Sequence, residues 1–186
     1  MTAKTTLDIV RAAAIKPPAK DYLALAQGPQ HYAQLLLENR HWMAAIAYLS
    51  HAITPRENIW WGWFCARKAA QPKGDPAELA ALAAVEAWIA QPTDEKRLAA
   101  WKLAEKTPAG AARTALEAVY WTGETENEAT GEKVPAVPEV ANKFVQGTVL
   151  TAVYALNANE PETVAMEFLR QGMEVANRIN LWANYR

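Results

Sequence analysis

The sequence is poor in reactive side chains. Its 186 residues include one cysteine, Cys65, one serine, Ser50, and three histidines, His31, His41 and His51. A lone cysteine excludes an intrachain disulfide. A Ser-His-Asp or Cys-His system would have to draw on this short list, and its members are badly placed for one. Ser50 and His51 are neighbours in a helical stretch, so their side chains point about 100° apart. Cys65 sits among Trp61, Trp63 and Phe64 and reads as a small buried hydrophobe. His41 and His51 on one helix would stand about 15 Å apart along its axis. No HxxxH, HExxH or CxxC spacing occurs, and no glycine-rich phosphate loop. The sequence therefore predicts no catalytic, metal or cofactor residues.

Clustered charge is also scarce. The net charge is −1, and lysines and arginines are scattered without a basic block. A nucleic-acid groove needs concentrated positive charge to displace counterions from phosphates, so a nucleic-acid partner is not expected. No run approaches the ~18 uninterrupted apolar residues of a membrane span, and Met1–Asp8 lacks the apolar core of a signal peptide. The expectation is a cytoplasmic protein without membrane insertion. Only four acidic residues are aspartates, and Asp75 and Asp94 read as helix starts. Glu86 and Glu117 lie between apolar residues, which predicts burial with salt bridges to arginines.

Helix-forming residues are abundant. Alanine makes up about a fifth of the chain and helix starts are well marked. Thr54-Pro55-Arg56-Glu57 places a side-chain acceptor before a proline that lacks the orphan N–H, and Asp75-Pro76 and Thr107-Pro108 repeat the signal. Thr93-Asp94-Glu95-Lys96 is a version without proline. With Pro17-Pro18, Gly28-Pro29 and Gly74 as breaks, these signals predict helices over about 6–14, 29–39, 41–52, 55–71, 76–91, 94–106, 108–121, 139–157 and 160–182. No segment alternates over strand length, so no sheet is predicted. The expected fold is all-α: about eight helices in antiparallel hairpins, forming one compact helical-repeat-like bundle over residues 1–186. Residues 1–20 would be an N-terminal helix and Pro-Pro linker.

Aromatics concentrate in helix 55–71. At 100° per residue, Arg56, Ile59, Trp60, Trp63, Arg67 and Ala70 share one side, while Trp61, Cys65 and Lys68 lie opposite. Large apolar residues on both sides predict a helix packed on both sides. Trp60 and Trp63 read either as core or as a binding face, and Gly62 would let a neighbouring helix approach closely. Arg56 and Arg67 bracket the tryptophans. They either cover the core edge beside a carboxylate such as Glu57 or Glu86, or form an aromatic-and-arginine surface for a partner.

Residues 122–138 stand apart as an acidic Pro/Gly loop. The segment carries Glu124, Glu126, Glu128 and Glu132 with no helical stripe. It is long for a connection in a compact domain, which predicts a mobile surface loop; loops on rigid scaffolds also carry function. Together with Arg56 and Arg67, these four glutamates are the candidate partner-binding residues.

Several pieces resemble an uncharacterised proteobacterial family of all-helical domains. They are Ala45–Ile53, Pro55-Arg56-Glu57, Trp60-Trp61, Cys65-Ala66-Arg67, Ala87-Trp88-Ile89 with Pro92, Tyr120-Trp121 with Gly123, Pro135 with Pro138, and Phe168–Gly172. The resemblance covers most of residues 29–176. It implies a cytoplasmic accessory protein associated with type VI secretion gene clusters, and carries over no catalytic residue. Gly123-Glu124 and the acidic insertion stand where the family pattern has a Gly-Gly turn after Trp121.

The resulting expectation is a non-enzymatic adaptor or chaperone-like factor whose partner is another protein, a secretion component or effector. The alternatives are an immunity protein that uses loop 122–138 to occlude a toxin's basic active site, and a glutamate-dependent hydrolase.

Overall fold

The computed structural model describes residues 5–72, 74–126 and 130–185. Among them the architecture is all-α: α1 (Thr6–Ala12), α2 (Pro29–Glu38), α3 (Trp42–Ala52), α4 (Pro55–Ala70), α5 (Pro76–Ala90), α6 (Asp94–Ala104), α7 (Ala111–Tyr120), α8 (Pro138–Leu156) and α9 (Pro161–Arg178). Short 3₁₀ segments cover Ala19–Ala24 and Leu181–Asn184, and two strands, β1 (Thr125–Glu126) and β2 (Lys133–Val134), form a small hairpin. No helix among the described residues is long and apolar enough to cross a membrane.

The elements group into two units, one formed by the chain up to Thr54 together with Asn157 onward, the other by Pro55–Leu156. In the first, α1 starts with a capping box: Thr5 Oγ1 accepts from the Asp8 N–H, and the Thr5 N–H donates to the Asp8 carboxylate. This unit is centred on buried Tyr32 and Tyr48, whose rings meet edge to face at 4.9 Å. Their hydroxyls donate to the carbonyls of Ala19 and Pro29. A buried phenol needs such a partner, because an unmet hydroxyl costs about 1–3 kcal/mol. Tyr185 donates to the Ala52 carbonyl and so fastens the chain's end to α3. The apolar stripe of α9 is buried as its 3.6-residue period predicts, at Ala165, Phe168, Leu169, Val175 and Ala176.

In the second unit, contacts between helices fix their directions. Arg56 at the start of α4 reaches the carbonyls of Ile89 and Ala90 at the end of α5, whereas Trp63, further along α4, donates to the Leu82 carbonyl. These two helices are therefore antiparallel. Trp121, just past α7, stacks on Phe144 in α8, while Thr114 lies against Gly147, so α7 and α8 are antiparallel too. Asn58 pairs with Asn142, and a Cβ on Gly62 would lie 3.3 Å from Val145 Cγ1, so α4 and α8 run parallel and close. Successive antiparallel hairpins return every second helix to its starting direction, so α8, four helices after α4, runs the same way. Gly62 thus allows the close approach expected of it.

One open alternative is decided and three expectations need correction. Trp61 is fully buried, Trp63 nearly so, and Trp60 only partly, so the core role fits Trp63 but not Trp60. The helical wheel separates the two sides correctly. It does not say which side α8 covers, and α8 lies against Gly62. α7 starts at Ala111 rather than 108, because the Thr107 hydroxyl donates backward to the Leu103 carbonyl and serves the end of α6. The last helix stops at Arg178, before Asn180 adopts a left-handed φ of 50°. Segment 122–138 contains a β-hairpin whose two-residue strands are too short for alternation to reveal.

Candidate partner-binding surface

The hairpin pairs Thr125 with Val134 and Glu126 with Lys133, antiparallel. Gly131, with φ of 69°, takes a left-handed conformation in its turn, which a residue without Cβ adopts at no steric cost. Glu124 lies 3.7 Å from Lys133. Both partners are largely exposed, so this pair is worth little in stability. Residues 130–139 are all exposed, as are Glu124, Glu126 and Glu132. Glu128 lies outside the described residues.

A chain of rings runs through Trp121, four residues before the hairpin's first strand. Trp101 of α6 stacks on Tyr120 at 4.5 Å, Tyr120 meets Trp121 edge-on at 5.3 Å, and Trp121 stacks on Phe144 of α8 at 6.3 Å. All four are only partly buried. Adjacent rings in sequence, Tyr120 and Trp121, end up on one continuous surface because α7 ends there and its last turn splays them toward α6 and α8.

Arg97 anchors this arrangement and is the most buried charged side chain among the described residues. Its Nε donates to Asp94 Oδ1 at 2.9 Å, its Nη1 donates to the Tyr120 carbonyl at 3.0 Å, and its guanidinium lies 5.6 Å from the centre of the Tyr120 ring. A cation at the C-terminal carbonyls of α7 complements the helix dipole. Gly123 makes room for it: a Cβ there would stand 2.5 Å from Arg97 Nε.

Beside Arg97 opens a cleft of ≈ 520 Å³, with Arg56, Glu57, Trp88, Asp94 and Gly123 among its lining residues. Arg56 enters it from α4 while its Nε caps the end of α5 at the Ile89 carbonyl, 2.8 Å away. The arginine thus covers the core edge, as one of the two expectations has it, but its partners are backbone carbonyls rather than Glu57 or Glu86. Arg67 lies eleven residues on, about 16 Å along the helix. Its guanidinium sits 5.0 Å from the centre of the Trp63 ring, the stacking that the i, i+4 spacing suggests. The two arginines therefore do not share a site; Arg56 belongs with Gly123 and the root of the acidic hairpin, and Arg67 does not.

Of the two flanked glutamates, Glu117 is partly buried and paired with Arg113 at 3.1 Å, whereas Glu86 is exposed and the expectation of its burial is corrected. Its helix α5 turns Val85 and Trp88 inward, which leaves Glu86 outward. Cys65 is buried, a small hydrophobe in fact.

Sequence reading missed Arg97, Gly123 and the ring chain. The i, i+3 pair Asp94–Arg97 and the i, i+4 pair Arg97–Trp101 were the available signals, but both read equally as a solvated helix face.

Comparison with known proteins gives one positive result. The model of a family described as "Family of unknown function (DUF6931)" matches residues 32–176. No curated protein matches, and no solved structure does.

Proposed function

This chain belongs to the DUF6931 family, and from that premise we propose that it is a non-enzymatic protein-binding accessory factor that takes a basic partner on its acidic hairpin and the adjoining rings. The observation that carries this reading is the exposure of residues 130–139, a few residues along the chain from partly exposed Trp121. A hairpin that buries so little contributes little to folding, and exposed glutamates beside aromatic rings suit lysine and arginine side chains: the carboxylates attract them and the ring faces receive them. An adaptor or chaperone-like role in a proteobacterial secretion system, in the cytoplasm and with type VI secretion clusters as its setting, is part of the same proposal.

The exposed acidic hairpin also favours a second reading, an immunity protein that plugs the basic active site of a toxin effector. A hydrolase reading gains only the presence of Glu57 and Asp94 in one cleft, and Asp94 is ion-paired to Arg97.

The test compares cross-linked partners of the intact protein with those of a Glu124→Gln, Glu126→Gln, Glu132→Gln variant in the native host. A partner held by the wild type, lost from the variant and released by salt supports the proposal. Equal capture by both proteins refutes it. Co-expression with the toxin encoded nearby separates the two readings: rescue of growth identifies an immunity protein, and continued killing removes that role.

A further inference from the structure

We propose that the cleft between the starts of α4 and α6 and the ends of α5 and α7 is a binding site for an organic carboxylate. This site lies at the root of the hairpin but uses none of its glutamates, so it can be tested apart from the hairpin surface. Two guanidinium groups line it, and each is held in place by helix-end carbonyls: Arg56 by Ile89 and Ala90, Arg97 by Tyr120. Those bonds, with the Asp94 pair, use Nε and Nη2 of Arg56 and Nε and Nη1 of Arg97. Among the described residues, Nη1 of Arg56 and Nη2 of Arg97 make no hydrogen bond, so each keeps a terminal nitrogen with two N–H donors to offer.

Helix capping explains the bonds that are made, but not the open volume of ≈ 520 Å³ beside the donors left over. Nor does capping require the arginine to be so deeply set that Gly123 must lack a Cβ. A rigid guanidinium whose position is already fixed loses little entropy on accepting an anion, and its planar fork matches a carboxylate. The remaining walls are Pro55, Trp88 and Pro92, with Thr93 and Thr122. The two prolines and the indole suit a ligand with an apolar body, which favours an organic acid over bare phosphate. Asp94 already occupies the Nε edge of Arg97 and is 83% exposed on its side chain, so a carboxylate in this cleft has a precedent within the chain. Asp94 and Glu57 also bring negative charge to the wall. They oppose an anion, which makes binding modest and predicts that removing the Asp94 charge strengthens it.

The experiment is an NMR titration of the intact protein with benzoate and, separately, with inorganic phosphate, following the arginine Nε–H and tryptophan indole N–H signals. Saturable shifts with benzoate and none with phosphate at equal ionic strength are expected. Arg56→Gln and Arg56→Lys should each weaken benzoate about tenfold, since one loses the charge and the other the fork. Asp94→Asn should strengthen it, because a like charge is removed. Melting curves of the variants establish that they are folded. The absence of a saturable benzoate shift overturns the proposal, as does unchanged affinity in both Arg56 variants. Equal binding of phosphate overturns the preference for an organic acid. Weaker binding in Asp94→Asn refutes the placement of the ligand beside Asp94.

Discussion

Gly123→Ala isolates the contribution of the Arg97 seat. The added methyl would stand 2.5 Å from Nε and 2.9 Å from both Cδ and Cζ of Arg97. No carbon sits that close without bonding, so Arg97 must leave its place. It then gives up the charged hydrogen bond to Tyr120, about 1.5–3 kcal/mol, and its position over the Tyr120 ring, about 1 kcal/mol. The pair with Asp94 adds only a few tenths because Asp94 is exposed. Against this, replacing glycine stiffens the unfolded chain and returns about 0.4–1 kcal/mol. The net expectation is a loss of about 2–3 kcal/mol, read from urea denaturation as a lower midpoint at unchanged slope. Gly28→Ala is the control. A Cβ there meets nothing within 4 Å, and the change should stay within about 0.5 kcal/mol. In an Arg97→Ala background the methyl has no side chain to strike, so the Gly123→Ala penalty should fall to near zero. An undiminished penalty in that background, or a Gly123→Ala protein as stable as its parent, refutes the account of Gly123 as the space for Arg97.

Other perturbations test the packing and the hairpin. Trp61→Ala should cost about 3–5 kcal/mol, and Trp60→Ala about 1–2 kcal/mol because its ring is already partly exposed; equal losses in denaturation curves would contradict the burial difference between them. Replacing residues 125–134 by a short Gly-Ser link should leave the melting temperature within about 2 °C, since Glu126 and residues 130–134 are exposed and contribute little stability; a larger fall in calorimetry would mean that the hairpin supports the helices. The Tyr32 hydroxyl is pushed up to about 12, first by burial and then by the charge of Asp21, and burial raises Tyr48 and Tyr185 as well. The unfolded phenol ionises near pH 10 while the folded one stays neutral, so this stabilisation is fully present below about pH 10 and is lost as the pH rises toward 12. Urea midpoints should fall over that window, less steeply in Tyr32→Phe, whose midpoint at neutral pH should be lower by the lost Ala19 bond; equal slopes would count against Tyr32 as a source.

Much of the scaffold is legible in local chemistry. Asp75 caps α5 through the N–H groups of Ala77 and Glu78, and Thr93 caps α6 through Lys96, as their positions before the helices imply. These bonds span two or three residues, so sequence order alone brings the groups together. The stripe of α9 is readable for the same reason: helical periodicity is a property of one segment. Thr107 marks the limit, because a hydroxyl before a proline can cap the next helix or bond back to the last one, and local sequence permits both.

The candidate sites are less legible because they are made of long-range encounters. Glu124, Glu126 and Glu132 are recognisable as an acidic surface from composition. Nothing in that composition pairs Glu126 with Lys133 across a turn. The sequence by itself determined the all-α class, most helix starts and the two-sided packing of α4, since each follows from interactions within a few residues. Tertiary structure alone decided that Trp61 rather than Trp60 would be enclosed, that Arg97 would cross to the end of α7 over a residue with no Cβ, and that Arg56 and Arg97 would share a cleft. Those outcomes depend on which helix faces meet, and that is settled by the packing of distant segments rather than by the propensities of any one of them.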